Sequence, residues 1–320
     1  MTGPASAAKV PSMPGDRAKP NAVKSYILAG QAVEPPRLPS GLHLVATPIG
    51  NLRDVTLRAL EVLAAADMIA CEDTRITRRL TEHYGITTPL TPYHDHNAAE
   101  ARPKLLARIA AGEAVALVSD AGTPLVSDPG FKLVRAAREA GLAVTAIPGP
   151  SAALAALSVA GLPTDRFFFE GFLPPKEGQR KSRIQEIARI PSSLILYETG
   201  PRLADTLSDL AEGLGAREAA VCRELTKLHE EVRRASLAEL AKVYESGAET
   251  RGEIVIVVAP PSDDAGQATE ADVEDLLRRA LKRVSVKDAV SEVATATGRP
   301  RREIYQRALA LEEENDGQGQ

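Results

Sequence analysis

The chain has 320 residues, 44% hydrophobic and 26% charged, with a net charge of −4. This composition fits a globular protein of two domains with room for a small third, and excludes a chain that is disordered throughout. The charge does not advertise nucleic acid, so a nucleic-acid surface would have to be a local basic patch, and aromatics at 3% with no Trp argue against binding mainly by base stacking.

Residues 1–40 carry seven prolines and one short apolar cluster, Tyr26-Ile27-Leu28. They read as a mostly flexible leader. From Leu42 the pattern becomes regular. Residues 42–46 read as a strand, and Asp54 is placed to cap the helix that follows, with Leu57, Leu60, Leu63 and Ala64 on its apolar face. A short strand over 68–71 holds Cys71, a core thiol. Helices are expected over 76–84 and 98–111, strands over 114–118 and 143–147, and helices over 132–140 and 151–160. Strand and helix alternating at this spacing imply a largely parallel sheet with helices on both faces. Gly161-Leu162-Pro163 reads as a boundary, giving an N-terminal α/β domain over 41–163.

A second α/β domain is expected over 164–260. It has strands at 167–170, 194–197, 218–223 and 253–258, and helices over 182–190, 203–214 and 237–245. The β-branched run at 253–258 should be a central strand. Residues 261–269 form a linker, and 270–314 a basic helical segment. Within that segment Ser285 and Asp288 form a capping box for a helix over 286–297. Gly298-Arg299-Pro300 then breaks the chain before a helix over 301–311, which is helix-turn-helix grammar. Nine Lys/Arg and three Asp/Glu lie between Arg278 and Arg307, and the acidic run from Glu312 to Asp316 is expected to fray. Two isolated cysteines, Cys71 and Cys222, give neither metal spacing nor a disulfide framework, which fits a reducing cytoplasm. There is no apolar run of membrane-spanning length and no secretory h-region.

Chemistry concentrates at strand ends. The run Ser119-Asp120-Ala121-Gly122-Thr123-Pro124 follows one strand, and Asp128-Pro129-Gly130 opens the next helix. Pro148-Gly149-Pro150-Ser151 follows another strand. Glycine turns of this kind bring backbone N–H and C=O groups beside one cleft and point to a cofactor enzyme. Neither G-x-G-x-x-G, nor a P-loop, nor H-E-x-x-H occurs. Thr47-Pro48-Ile49-Gly50-Asn51-Leu52 and Glu72-Asp73-Thr74-Arg75 also follow strands. His94-Asp95-His96-Asn97 has H-x-H spacing but no third strong ligand nearby, so a polar substrate-facing loop is favoured and no metal is expected. Arg223-Glu224-Leu225-Thr226-Lys227 suits a general base beside a charge stabiliser, and equally a salt-bridged surface.

These segments, with Glu170-Gly171-Phe172-Leu173-Pro174, occur in one order. In that order they resemble the bacterial 16S ribosomal RNA ribose 2′-O-methyltransferases of the RsmI type, in the tetrapyrrole methylase superfamily. The resemblance implies a two-domain α/β fold around a deep cofactor cleft, with a small C-terminal helix-turn-helix-like segment. It implies S-adenosylmethionine as methyl donor, a cytidine ribose in the decoding region of the small ribosomal subunit as acceptor, and a homodimer. One departure is visible: Tyr197-Glu198-Thr199-Gly200-Pro201-Arg202-Leu203 stands where the family commonly has Y-E-S-P-H-R-L.

On this resemblance the methyl donor is expected at Pro48, Ser119, Asp120, Ala121, Gly122, Thr123, Leu125, Val126, Ser127, Gly149, Ser151 and Tyr197. RNA is expected at Asn51, Asp73, Arg75, His94, Arg223, Arg301 and Arg302, and Glu224 and Lys227 are the catalytic candidates. Lys282, Arg283, Lys287 and Arg299 add to the basic segment. The alternatives are a methyltransferase acting on a corrinoid precursor and a noncatalytic RNA-binding factor that keeps the fold.

Overall fold

The computed structural model describes residues 24–261, 270–281, 283–297 and 299–317. Most of the proline-rich leader, the linker 262–269, Lys282 and Gly298 lie outside the described residues. The chain divides into two compact units, one holding residues up to Thr47 and Asp54–Gly149, the other Pro48–Arg53 and everything from Pro150.

The first unit is a five-stranded sheet in which every pairing is parallel. Its strands are β3 (Gly41–Val45), β4 (Met68–Cys71), β5 (Leu90–Pro92), β6 (Ala114–Val118) and β7 (Val144–Ile147), in the order β5-β4-β6-β3-β7. Burial on both faces explains why β6 reads Ala-Val-Ala-Leu-Val without polar alternation. Helices α1 (Leu57–Ala65), α2 (Thr74–His83), α3 (Ala98–Ala110) and α4 (Phe131–Glu139) connect the strands. Leu42, Leu117, Leu133 and Tyr93 lie in the core. The cap of α1 is Thr56, whose hydroxyl accepts the Ala59 N–H at 3.1 Å, and not the expected Asp54. The reason is that Leu52–Asp54 is taken up in a separate 3-10 turn, so the helix starts later.

The leader also needs correction. Residues Tyr26–Leu28 (β1) and Gln31–Val33 (β2) form an antiparallel hairpin. Ala29 and Gly30 both take left-handed φ, +49° and +79°, as a tight hairpin turn requires. Tyr26 is buried, the Ile27 N–H donates to Tyr84 O, and Lys24 Nζ donates to Ala65 O and Ala66 O while pairing with Asp67. A lysine on the last carbonyls of α1 serves as its C-terminal cap. Replacing Tyr26 with Ala should cost about 3 kcal/mol of stability, read as a lower urea midpoint at unchanged m-value.

The second unit carries a mixed sheet, unlike the parallel first one. Its strands are β8 (Phe167–Phe172), β9 (Ser193–Thr199), β10 (Glu218–Arg223), β11 (Glu231–Ser236) and β12 (Glu253–Val258), in the order β11-β10-β12-β9-β8. β8 and β9 are parallel and the other pairings antiparallel. The Ile- and Val-rich β12 is central, as its composition requires. Helices α6 (Glu177–Ile187), α7 (Leu203–Leu214) and α8 (Leu237–Glu245) bury Leu196, Leu207 and Leu240 on one face. Helix α5 (Ala152–Val159) packs on the other with Ile195, Cys222 and Val255. That packing places the division at Gly149, ahead of the expected boundary at Gly161–Pro163.

Helices α9 (Glu270–Leu281), α10 (Val286–Thr297) and α11 (Arg301–Gly317) close on their own core of Val273, Leu277, Val290, Val293, Ile304 and Leu311. Ser285 accepts the Asp288 N–H as the sequence predicts, while α11 runs on through the acidic stretch expected to fray. Among the described residues, no helix is long and apolar enough to cross a membrane.

Candidate functional site

Every strand of the first sheet points the same way, so its loops gather at one carboxyl edge. The chain leaves β4 for the outer strand β5, but leaves β6 for β7 on the far side of β3. Outgoing connections that diverge from neighbouring strands open a ligand crevice. At this switch point the Asp73 N–H donates to Asp120 Oδ1 at 2.9 Å, tying the two predicted loops together. Thr47 and Gly122 exchange backbone bonds of 2.9 and 3.0 Å, tying in the loop after β3. Ser119 is buried, and its hydroxyl lies 3.3 Å from Ala121 O, so the side chain braces its own loop. Leu125 and Ser127 hold φ of +75° and +61°. Two non-glycine residues in that region store about 1–3 kcal/mol each, strain of a kind that clusters at binding loops.

Carboxylates crowd this edge. Burial raises the pKa of Glu72 and Asp120, and neighbouring carboxylates add to the rise. Burial pushes Asp128 up to about 6 despite a hydrogen bond from Ser119. Asp73 behaves oppositely. The Arg75 side chain and backbone N–H hold it down to about 2, and it caps α2. Arg75 is consequently held by Asp73 through both its Nε and its Nη2, although its side chain is exposed. In the His94–Asn97 turn, Asn97 Oδ1 accepts the His94 N–H and its Nδ2 donates to Pro92 O. The His94 Nδ1 is buried without a hydrogen-bond partner among the described residues.

The second unit builds a separate cluster from the antiparallel register of β10 and β12, which sets Arg223 beside Ile254. Lys227 Nζ donates to Glu224 at 2.8 Å and to Glu253 at 2.9 Å. Glu224 also accepts the Glu253 N–H at 3.0 Å. Its carboxylate fills the space a side chain at Gly252 would occupy. Glu224 and Thr226 hold φ of +52° and +67°. Ile49 plugs the core beside Leu225 and Cys222, so the short segment Pro48–Arg53 is docked on this unit. Gly50 then lies on the lysine stem: a Cβ there would come within 2.5 Å of Lys227 Cγ. Asn51 Oδ1 accepts the Arg53 N–H at 3.1 Å, a local turn at the surface.

Burial works against the charge on Lys227, but the bonds from Glu224 and Glu253 outweigh it and raise its pKa. The Lys227 bond holds Glu224 below the ordinary carboxylate range. Neither group is poised to take a proton near neutrality, and the arrangement instead presents a fixed ammonium. Arg223 is spent on Glu231 at 3.1 Å and on Arg251 O. Tyr197 makes edge-to-face contacts with Phe169 and Phe172. Gly200, the family departure, is needed because a Cβ there would strike the Thr250 carbonyl.

In the C-terminal helices, Arg278, Arg279, Arg283 and Arg307 pair with acidic residues, and Arg301 donates to Ser291. Lys287 and Arg302 are exposed, and no ion pair involves either among the described residues. The strand-end motifs contain Glu72 and Asp128 without singling out either as a site residue, and Glu253 lies outside every motif. Glu253 is visible only once β10 and β12 are set antiparallel. The two acids signal themselves only by lying at strand ends or helix entries.

Residues 41–241 match the family model for tetrapyrrole (corrin/porphyrin) methylases, and residues 267–312 match that for the RsmI C-terminal HTH domain. A ribosomal RNA small subunit methyltransferase I from Mesorhizobium japonicum is 50% identical, aligned over 91% of this chain and 100% of its own length. One from Erythrobacter litoralis is 52% identical over 86% of this chain and 96% of its own. Among solved structures, a cobalt precorrin-4 methyltransferase of cobalamin biosynthesis superposes with a TM-score of 0.53 at 16% identity, covering 68% of this chain and 94% of that one. At that identity the likeness concerns the fold.

Proposed function

We infer the function from the family to which the chain belongs, the ribosomal RNA small subunit methyltransferases I within the tetrapyrrole methylases: it is an S-adenosylmethionine-dependent methyltransferase of small-subunit ribosomal RNA. We propose further that the acceptor is the 2′-hydroxyl of a cytidine ribose in the decoding region of 16S rRNA, and that the protein acts in the cytoplasm as a homodimer.

The first unit suits a cationic donor. Its crowded carboxylates, Glu72, Asp120 and Asp128, are short of positive charge, and a ligand carrying a sulfonium and an ammonium supplies it. The 119–127 loop and Gly149 would hold that ligand, which brings the methyl group. Donor affinity should fall as pH drops through about 6, because the carboxylate raised by burial, Asp128, takes up a proton and stops offsetting the ligand's charge. Calorimetry between pH 5 and 8 checks this, and Asp128→Asn should flatten the dependence.

The observation that carries the ribose reading is Lys227. A hydroxyl is a weak nucleophile until negative charge on its oxygen is stabilised. An ammonium fixed between two carboxylates, its stem lying against Gly50, offers that stabilisation without reorganising. Glu224 positions the lysine. Lys287, Arg299 and Arg302 favour an RNA acceptor over a corrinoid one, since they suit phosphates. The test is transfer from labelled S-adenosylmethionine to unmodified small subunits, with the product mapped by resistance of the modified linkage to alkali. One resistant cytidine is expected. Transfer to a corrinoid precursor instead would overturn the reading.

A further inference from the structure

Four of the five phenylalanines in the chain lie in β8, an edge strand reading Phe-Phe-Phe-Glu-Gly-Phe. Its pairing with β9 contains an irregularity. Phe169 lies beside Ile195, but Gly171 lies beside Leu196 and Phe172 beside Tyr197, so Glu170 is an extra residue. Gly171 takes φ +74°, the left-handed geometry that such bulges use. Without the extra residue, Phe172 would fall beside Glu198, on the opposite face of the sheet. The bulge therefore turns Phe172 onto the face that holds Phe169 and Tyr197.

The bulge is also clamped. Arg183 on α6 grips the Glu170 carboxylate with bonds of 2.7 and 2.8 Å, and Glu170 is nearly inaccessible. The aromatic cluster this creates is ordered by edge-to-face contacts. Tyr197 lies 5.0 Å from Phe169 and 5.6 Å from Phe172, centroid to centroid. Such a contact covers at most one face of a ring, and Phe172 remains 51% exposed. Exposed Lys176 follows four residues on and has no ion-pair partner among the described residues. The strand ends at Phe172 at the same end of the sheet as Glu253 and Arg223, the flanks of the Lys227 cluster, with β9 between Phe172 and the strand of Glu253.

We infer that Phe172, aimed by the Glu170–Gly171 bulge and backed by Tyr197, is a stacking platform for an unpaired base of the RNA next to the reacting ribose. This rests on the RNA methyltransferase reading. Bases in single-stranded RNA are held by stacking on aromatic rings. A lysine four residues further along the chain suits a neighbouring phosphate.

The test compares Phe172→Leu, which keeps apolar bulk but cannot stack, with Phe172→Trp. For Phe172→Leu, KM for unmodified small subunits should rise about tenfold or more, with kcat changed less. Phe172→Trp should restore KM. Calorimetric affinity for S-adenosylmethionine and the sedimentation-equilibrium mass should match those of the unaltered protein in both variants. A loss of donor affinity would make the ring a donor contact, and a change of mass would make it a subunit contact; either overturns the inference, as does an unchanged KM. Failure of the unaltered protein to methylate subunits would instead sink the underlying reading.

Discussion

Lys227→Ala is expected to lower kcat for subunit methylation by roughly 100- to 1,000-fold while leaving donor binding intact. That is the usual effect of removing one fixed group that stabilises charge in a transition state. The structure makes the lysine an unusually constrained cation: two carboxylates hold its Nζ, and Gly50 covers its stem. Glu224→Gln should act through the lysine. It removes one of two charged anchors and lets the raised Lys227 pKa fall. A group needed in its charged form loses activity as pH rises through its pKa, so the alkaline limb of kcat should move to lower pH in Glu224→Gln. A general base would behave otherwise, losing activity on the acid side. Single-turnover rates with each variant between pH 6 and 11 distinguish the two. Full turnover in both Lys227→Ala and Glu224→Gln would remove the cluster from the chemistry.

Deleting residues 266–320 should weaken binding to small subunits at least tenfold while S-adenosylmethionine binding survives. The three helices have their own core, so their removal leaves the methylase units to pack as before. The size of the effect is bounded by how many cations are available. Nine basic residues lie between Arg278 and Arg307, but Arg278, Arg279, Arg283 and Arg307 are paired within the chain. If the truncated protein neutralises about three fewer phosphates, the slope of log affinity against log salt should become shallower by about 2 to 3. Filter binding across a salt series reads both quantities. Equal binding by the truncated protein would refute a role for these helices in RNA recognition.

Much of this was legible in the chain itself, for identifiable reasons. A fully buried parallel strand shows as an unbroken apolar run, so β6 and the central β12 stand out. Cap chemistry at Ser285 is local and transfers directly into the structure. What failed was non-local or overruled. Thr56 displaced Asp54 because a 3-10 turn intervened. Strand β11 carries Arg-Arg in place of an apolar run because it is an edge strand paired on one side. The short β5, ending in Pro92, is likewise an edge strand, of the first sheet. The hairpin at 26–33 hid within a proline-rich leader, since its strand β1 is held by α1 and by the Tyr84 carbonyl, both well along the chain. The loops of the site were visible from their glycine turns. Their electrostatics were not, because the rise at Asp128 and the pairing of Lys227 depend on burial and register.

The docking of Ile49 has a bearing on synthesis. The chain leaves the first unit after Thr47, lends six residues to the second, and returns at Asp54. The partners of Ile49 include Leu225 and Val255, made about two hundred residues later. At about 5–20 residues per second, this apolar segment waits roughly ten to forty seconds on the ribosome before its socket exists. The first sheet can form in the meantime, but Gly50 cannot settle on Lys227 until β12 has emerged. A nascent chain that stops between Lys227 and β12 therefore lacks Glu253, and Lys227 acquires its second carboxylate anchor only among the last folding steps of this unit.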